Sequence, residues 1–439
     1  MKKFPFILII ILAKSLFTNA QFVEVGGGIN GPVETIYTSQ LLDELVATGD
    51  FRIAGADSAS HIARWNGQQW SNIGEGTVGH RFPMFAIVDY GGHLILNGDF
   101  DSFSTGCWLY KWDGNTWSCQ NVAAPNGRLQ GLTIIEDTLY ACGWMDSVGS
   151  APVSGLARWD GVQWNGYQFP VNSGRIMVDA IKYNGELIVG GNFIDTLNWI
   201  YDIAVVNGNQ MSKVGGALNL GGVVYDLCIY NGSLFIGGYF SGTFPIVFEN
   251  LIAYDGISFH SIGSPNFEVW GMEVYDNQLY VWGTFSAIDG IPYPGLARWD
   301  GQQWHSVTQD TFNNVITSIA FYHDELYVAG GFTEINGQPV SRVAKYTGPL
   351  KVAETAPVLP LSAYPNPASE YIKLQWPVGL LGEQRLRVTD LYGRTILTAN
   401  PAPGTSCWSF DCSSLPPGSY QIILTAGARS GRVKVAVVR

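Results

Sequence analysis

One nine-residue phrase constrains this chain more than any other feature. Leu296-Ala297-Arg298-Trp299-Asp300-Gly301-Gln302-Gln303-Trp304 returns almost unchanged at residues 62–70 and 156–164, and more loosely at 109–117, 203–211, 252–259 and 343–350. The glycine at its tip falls at Gly67, Gly114, Gly161, Gly208, Gly256, Gly301 and Gly348, with gaps of 47, 47, 47, 48, 45 and 47 residues. A period of this length, with several short strands per copy, indicates a β-propeller with one repeat per blade.

A second motif keeps the same pitch upstream: a short apolar strand ending in an aromatic or methionine at Phe51, Phe100, Met145, Phe193, Phe240, Phe285 and Phe332. Before it comes a strand leading into a tight turn, as in Leu227-Cys228-Ile229-Tyr230-Asn231-Gly232. Asn-Gly or Asp-Gly between apolar runs is a strong hairpin signal, because both turn residues then take positive φ. The turns Asn184-Gly185, Asn231-Gly232 and Asp276-Asn277 predict one hairpin per repeat, and Asp160-Gly161, Asp255-Gly256 and Asp300-Gly301 a second. Each repeat therefore reads as a four-stranded meander, A-B-C-D. The last copy stops after strand C at Leu350, whereas Phe22-Val23-Glu24-Val25-Gly26-Gly27-Gly28 resembles a strand D without its strand C. Residues 22–350 number 329, seven times 47. The expectation is a seven-bladed ring whose last blade is completed by residues 22–28, leaving no open sheet edge at the seam.

The start of the chain reads as a signal peptide, residues 1–20: Met1-Lys2-Lys3, an apolar run from Phe6 to Ala13, then Thr18-Asn19-Ala20 ahead of Gln21. That apolar run is too short to span a membrane as a helix, and no later stretch qualifies. Gly is 53 of 439 residues and charged residues only 14%, which suits a secreted β protein. Residues 21–350 carry 12 Lys+Arg against 31 Asp+Glu, whereas residues 361–439 carry 8 against 4. So acidic a ring has no electrostatic means of binding nucleic acid. Its carboxylates read first as solvated loop residues that keep a secreted protein soluble. Six cysteines define no framework at this length: Cys107 with Cys119 and Cys407 with Cys412 are candidate pairs, and Cys142 and Cys228 read as buried thiols. No zinc-ligand spacing occurs, so no metal and no cofactor is expected.

Residues 351–361 hold two prolines and no strand pattern, and read as a tether. Beyond them, residues 362–439 alternate apolar and polar over 371–376, 386–390, 419–425 and 433–438, enough for a small β-sandwich. This segment opens with Ala363-Tyr364-Pro365-Asn366-Pro367-Ala368-Ser369, continues with Leu391-Tyr392-Gly393-Arg394 and Leu415-Pro416-Pro417-Gly418-Ser419-Tyr420, and ends near Val433-Lys434-Val435. In that order these motifs resemble the type A C-terminal sorting domain of the type IX secretion system, carried by secreted proteins of Bacteroidetes. Val437-Val438-Arg439 departs from its usual small polar step before the terminal basic residue. The resemblance implies export across an outer membrane by the type IX machinery through residues 362–439, by way of the periplasm, to the cell surface or the medium.

The ring's paired glycines (Gly190-Gly191, Gly237-Gly238, Gly330-Gly331), followed by an aromatic and by Trp in the C–D hairpin, resemble kelch-like repeats. The tighter Arg-Trp-Asp-Gly-x-x-Trp phrase is closer to the kelch-like propellers of secreted bacterial proteins. Its Trp-Asp pair is not a WD repeat, because the Asp begins a turn and no Gly-His precedes it. Enzymatic readings find little. Asp113-Gly114-Asn115-Thr116-Trp117 matches only the end of a sialidase Asp-box, and the six histidines are scattered over different blades without a copper-ligand pattern. No Gly-x-Ser-x-Gly or His-Glu-x-x-His occurs. Arg298, Trp299 and Trp304, with their repeats, read as inter-blade packing.

Tight A–B and C–D hairpins leave the B–C and D–A loops of the opposite face as the variable ones, where specificity resides. Candidate ligand residues there are Trp144, Asp146, Asp195, Trp199, Tyr201, Tyr239, Phe244, Asp289 and Tyr293 on B–C loops and Trp270, with His80, Arg81 and Arg175, on D–A loops. Aromatic rings beside carboxylates suit stacking on a sugar and bonding its hydroxyls; a protein ligand on the same face is the other possibility. The sequence therefore predicts an all-β, exported binding module, with a carbohydrate-active enzyme as the alternative.

Overall fold

The computed structural model describes residues 21–74, 86–97, 109–119, 125–169, 176–216, 218, 220–242, 247–348, 361–377, 384–390, 395–402, 404–426 and 429–438. The proposed signal peptide, most of the tether, Phe244, His80, Arg81, Arg175, Gly393 and Arg394 lie outside them.

Seven four-stranded antiparallel sheets form among the described residues of 22–346, and their first strands touch in cyclic order, the seventh against the first, so the ring is a closed seven-bladed β-propeller. Blade 7 is built as expected. Its strands Ile316–Tyr322, Glu325–Gly330 and Val343–Tyr346 are completed by Phe22–Glu24, with Phe22 opposite Tyr346 and Glu24 opposite Ala344. The A–B turns take the two-residue form that Asn-Gly favours, with φ of 50° and 86° at Asn184 and Gly185. Except in blade 4, where Asn207 pairs with Gln210, the C–D hairpin tips do not. Trp112 pairs with Trp117, so residues 113–116 make a four-residue loop in which only Gly114 has positive φ. The Asp113 carboxylate decides this by accepting the backbone N–H of Asn115 and Thr116 (2.9 and 2.7 Å); Asp160, Asp255 and Asp300 do the same.

The repeated tryptophans join blades. Trp65 and Trp70 meet across strands C and D with ring centroids 5.4 Å apart, as do Trp112 and Trp117 at 5.2 Å and Trp299 and Trp304 at 5.3 Å. The strand-D indole then donates to the preceding blade: Trp70 to the Val25 carbonyl (3.0 Å), Trp117 to Ile73 (3.0 Å), Trp304 to Ile262 (2.5 Å). The next residue in each case is glycine: a Cβ would strike the tryptophan pair at 2.2 Å for Gly26 and 2.6 Å for Gly74, and Ile288 and Trp304 at 2.7 and 2.8 Å for Gly263. Blade 7 has Phe22 in the strand-D place, and there the Tyr346 hydroxyl donates to the Val307 carbonyl instead (2.8 Å). On the opposite edge, Tyr183, Tyr230 and Tyr322 donate to carbonyls in the next blade's A–B turn, those of Gly232, Asn277 and Asp43.

The B–C loops are less variable than expected. In blades 1, 3, 6 and 7 each forms a small two-stranded hairpin, such as Ala287–Ile288 with Ile291–Pro292. An asparagine in the incoming D–A loop sews it down by accepting two consecutive backbone N–H groups. Asn30, Asn126, Asn266 and Asn313 each play this part. Blades 4 and 5 instead run strand B on as Glu186–Asp195 and Ser233–Gly242, into direct B–C hairpins.

The C-terminal β-sandwich packs Ser362–Tyr364, Tyr371–Gln375 and Cys407–Asp411 against Gln384–Asp390, Thr395–Ala399, Gly418–Ala426 and Arg429–Val437. Its core includes Ile372, Leu374, Trp376, Leu386, Ile422 and Val435, and Leu361, read as tether from composition, packs against it. The first motif and the final strand prove to be partners. Asn366 donates to the Lys434 carbonyl and accepts the Ala436 N–H, both at 2.9 Å, as a neighbouring strand would. Tyr420 is buried, with its hydroxyl on the Pro416 carbonyl at 2.8 Å, and Gly418 pairs with Val437; Tyr364, between Ala363 and Pro365-Asn366-Pro367, lies under the Lys373 ammonium. Cys119 is disulfide-bonded, whereas Cys142, Cys228, Cys407 and Cys412 are free.

Candidate functional site: the mouth of the ring

Aligning the blades with one another isolates two positions where the copies disagree. The first strand of six blades carries a β-bulge immediately after a buried apolar residue (Val33, Leu129, Met177, Val224, Val269 or Ile316). The bulged residues are Glu34, Gln130, Val178, Tyr225, Trp270 and Thr317, all half-buried. Bulges re-aim a side chain and are common at sites. The second position precedes the buried aromatic or methionine that closes strand B. It holds Asp50, Trp144, Asn192, Tyr239, Thr284 and Gly331 beside uniformly buried Phe51, Met145, Phe193, Phe240, Phe285 and Phe332. Both positions lie where strand A begins and strand B ends, around the mouth of the ring on the B–C/D–A face. Blade 2's counterparts lie outside the described residues.

The mouth has two chemically different parts. Between blades 5 and 6, Tyr239 and Phe267 are each 49% exposed, with ring centroids 5.8 Å apart and planes tilted by 42°. Glu268 follows Phe267 directly, just ahead of strand Val269–Tyr275. Its Oε2 accepts the Trp270 indole N–H (2.7 Å) and the Thr284 hydroxyl (3.2 Å). Burial, then the nearby Glu268 and Tyr239, pushes the Tyr225 phenol above its ordinary range. At blades 1 and 3 the mouth is charged. Burial and then Asp50 raise the Glu34 carboxyl, while Arg128 pulls it down.

Deeper along the first strands, blades 4 to 6 carry Asp179, Asp226 and Glu273. Asp179 accepts the Leu227 N–H at 3.0 Å and Asp226 the Met272 N–H at 2.6 Å, so each carboxyl bridges to the next blade. Burial pushes both aspartates up, and Asp179 pushes Asp226 further; burial alone lifts Glu273 to about 7. All three remain partly open to solvent while ringed by protein, as channel-lining groups are. Among the described residues no cluster of histidine, cysteine and carboxylate side chains has the geometry to hold a metal ion.

Of the residues singled out from sequence, Trp144, Tyr239 and Trp270 fall at these two positions. Trp199 is 66% exposed on the blade 4 hairpin, away from both, and Tyr201 is half-buried in the same hairpin opposite Ile194. Four others make contacts within the scaffold. Asp146 accepts from Asn126 Nδ2 at 2.7 Å. Asp195 is fully buried and caps the Leu197 and Asn198 N–H groups. Asp289 is a turn residue at φ 50° whose carboxylate accepts the Ser264 N–H at 2.9 Å. Tyr293 is buried, with its hydroxyl on the Trp304 carbonyl. Sequence reading missed Tyr225, Phe267, Glu268, Glu34 and Arg128. The first of these was discoverable as a member of a repeat column in which no two described blades carry the same residue.

Residues 362–438 match the family model described as the secretion system C-terminal sorting domain. That domain marks proteins exported by the type IX machinery, so this protein is secreted or held at the cell surface. Among the described residues no helix is long and apolar enough to cross a membrane. No curated protein matches the chain. Similar solved structures include an AA5-family fungal alcohol oxidase in complex with copper (12% identity, TM-score 0.41, 95% of this chain and 98% of that one). The GH74 enzyme of Niastella koreensis is another (12%, 0.43, 96% and 75%), as is BamB from Moraxella catarrhalis (9%, 0.28, 75% and 97%). Likeness at this level assigns neither activity nor ligand.

Proposed function

We propose that residues 21–350 form a kelch-like ring acting as a binding module that takes a glycan or protein ligand at its mouth. In this reading residues 1–20 are a signal peptide, 351–361 a tether and 362–439 the sorting domain that delivers the ring outside the cell. The observation that carries it is the coincidence of the two non-repeating columns. Positions that must pack are nearly identical from blade to blade, and the positions freed from packing converge on one mouth. A second reading, a carbohydrate-active enzyme, draws on one feature, the raised Glu34 carboxyl beside Asp50. One experiment addresses both: the mature chain is titrated over an array of glycans and surface polysaccharides, with Tyr239→Ala and Glu34→Gln as controls. Saturable binding without product, weakened by Tyr239→Ala, is the expected result. Turnover abolished by Glu34→Gln would replace the module with the enzyme. Binding untouched by mouth substitutions would remove the mouth from the proposal.

A further inference from the structure

Resting on that reading, we infer that the blade 5–6 part of the mouth is a subsite for one uncharged hexopyranose ring, stacked on Tyr239 and Phe267 and hydrogen-bonded to Glu268. Two half-exposed aromatic rings at 42° make an open wedge, not a closed stack, and so offer a face to the C–H side of a sugar. Glu268 is pre-set for the hydroxyls. Trp270 and Thr284 both donate to its Oε2, fixing the rotamer and leaving Oε1 for a ligand O–H, a charge-assisted acceptor. Anionic sugars are disfavoured, because among the described residues the site contributes a carboxylate and no lysine or arginine, within a ring of 12 basic and 31 acidic residues.

The test is calorimetric titration of the mature chain with cellotetraose, chitotetraose and tetragalacturonate, with melting temperatures to verify folding. At least one uncharged probe should saturate the site and tetragalacturonate should not. Tyr239→Ala and Glu268→Gln should each weaken binding at least tenfold, and Trp144→Ala less than twofold. Failure of both uncharged probes, or binding indifferent to Tyr239→Ala and Glu268→Gln, overturns the subsite. If binding is instead lost on Arg128→Ala or Trp144→Ala, the mouth stands and only the sugar assignment falls.

A separate observation lies at the seam. We infer that Asp310 receives the free α-ammonium of Gln21, so that cleavage before Gln21 supplies the charge that locks the ring. Asp310 is 3% exposed, yet among the described residues no lysine, arginine or histidine pairs with it. Its Oδ2 accepts the backbone nitrogens of Gln21 (2.7 Å) and Phe22 (3.1 Å), and its Oδ1 the Asn336 amide (2.7 Å). The Gln21 carbonyl is held by the N–H and hydroxyl of Thr347, and Phe22 is buried against Phe312 and Tyr346. A buried carboxylate without a cation is costly. Hydrolysis of the Ala20–Gln21 amide adds one water, leaving a carboxylate on Ala20 and an ammonium on Gln21, 2.7 Å from Asp310.

The proposal is tested by Asp310→Asn in two backgrounds: the chain beginning at Gln21, verified by intact mass, and one carrying Gly-Ser before it. The Asp310→Asn loss in melting temperature should be several degrees larger in the first. The excess should fade as pH rises above about 8, because a paired α-amine has its folded pKa raised and stabilises only while protonated. Equal losses in the two backgrounds overturn it. So does a native chain whose mass shows another start, or a cyclised Gln21 with no ammonium.

Discussion

The outer hairpins and the mouth of this ring are built from the same repeat under opposite constraints. At the outer edge, Arg-Trp-Asp-Gly-x-x-Trp recurs because each of its elements is committed to the scaffold. The carboxylate turns the chain, the two indoles pack, and one of them reaches the preceding blade. At the mouth the corresponding columns hold Glu, Gln, Val, Tyr, Trp and Thr, or Asp, Trp, Asn, Tyr, Thr and Gly, and they stay at least partly exposed. Within one chain, repetition records what the fold requires, and departure from it records where the fold leaves residues free for something else.

Substitutions that separate stability from binding would break or sharpen that contrast. The largest loss belongs to the outer edge. Trp70→Ala empties a 2%-exposed site and orphans the Val25 carbonyl, costing about 3–5 kcal/mol by calorimetry with ligand affinity unchanged. Asn266→Ala releases the Ser286 and Ala287 amides of a clamped loop, costing about 1–3 kcal/mol and speeding their hydrogen exchange. The channel acids give a pH signature. Glu273 has its folded pKa raised from 4.5 to about 7, so the folded state holds its proton more tightly and stability falls as pH rises from 4.5 to 7. The Asp179–Asp226 pair acts in the same direction. Glu273→Gln should flatten that decline by of order 1–2 kcal/mol, allowing for solvent in the channel. Trp144→Ala, half-exposed at the mouth, should shift stability by no more than about 0.5 kcal/mol. Deleting residues 352–439 should leave ring unfolding nearly unmoved while stranding the protein in the periplasm, read by fractionating the native host.

Local chemistry was legible where it acted over a few residues. Asn184-Gly185 announces its two-residue turn, whereas Asp113-Gly114 looks alike but makes a longer loop, because the carboxylate captures two amides before strand D can pair. The B–C loops misled for a different reason. Asn126 and Asn266 lie about 20 residues ahead of the amides they hold, so nothing within the loops reveals the contacts that Asp146 and Asp289 make there. Asp195 and Tyr293 carry polar atoms that suit a ligand, and in their buried positions those atoms bond to nearby backbone groups and, for Asp195 Oδ2, to the Asn198 side chain.

The sequence by itself determined the sevenfold period, the closure of the last blade by the segment 22–28, whose paired strand is Phe22–Glu24, and the address carried by the final domain. Each follows from short-range patterning repeated at a fixed pitch or from ordered local motifs. Only the tertiary structure decided which side chains share the mouth. Tyr225 and Tyr239 belong to one blade and Glu268 and Trp270 to the next. They meet because bulged strands bring neighbouring blades together, an outcome of packing that no local pattern encodes.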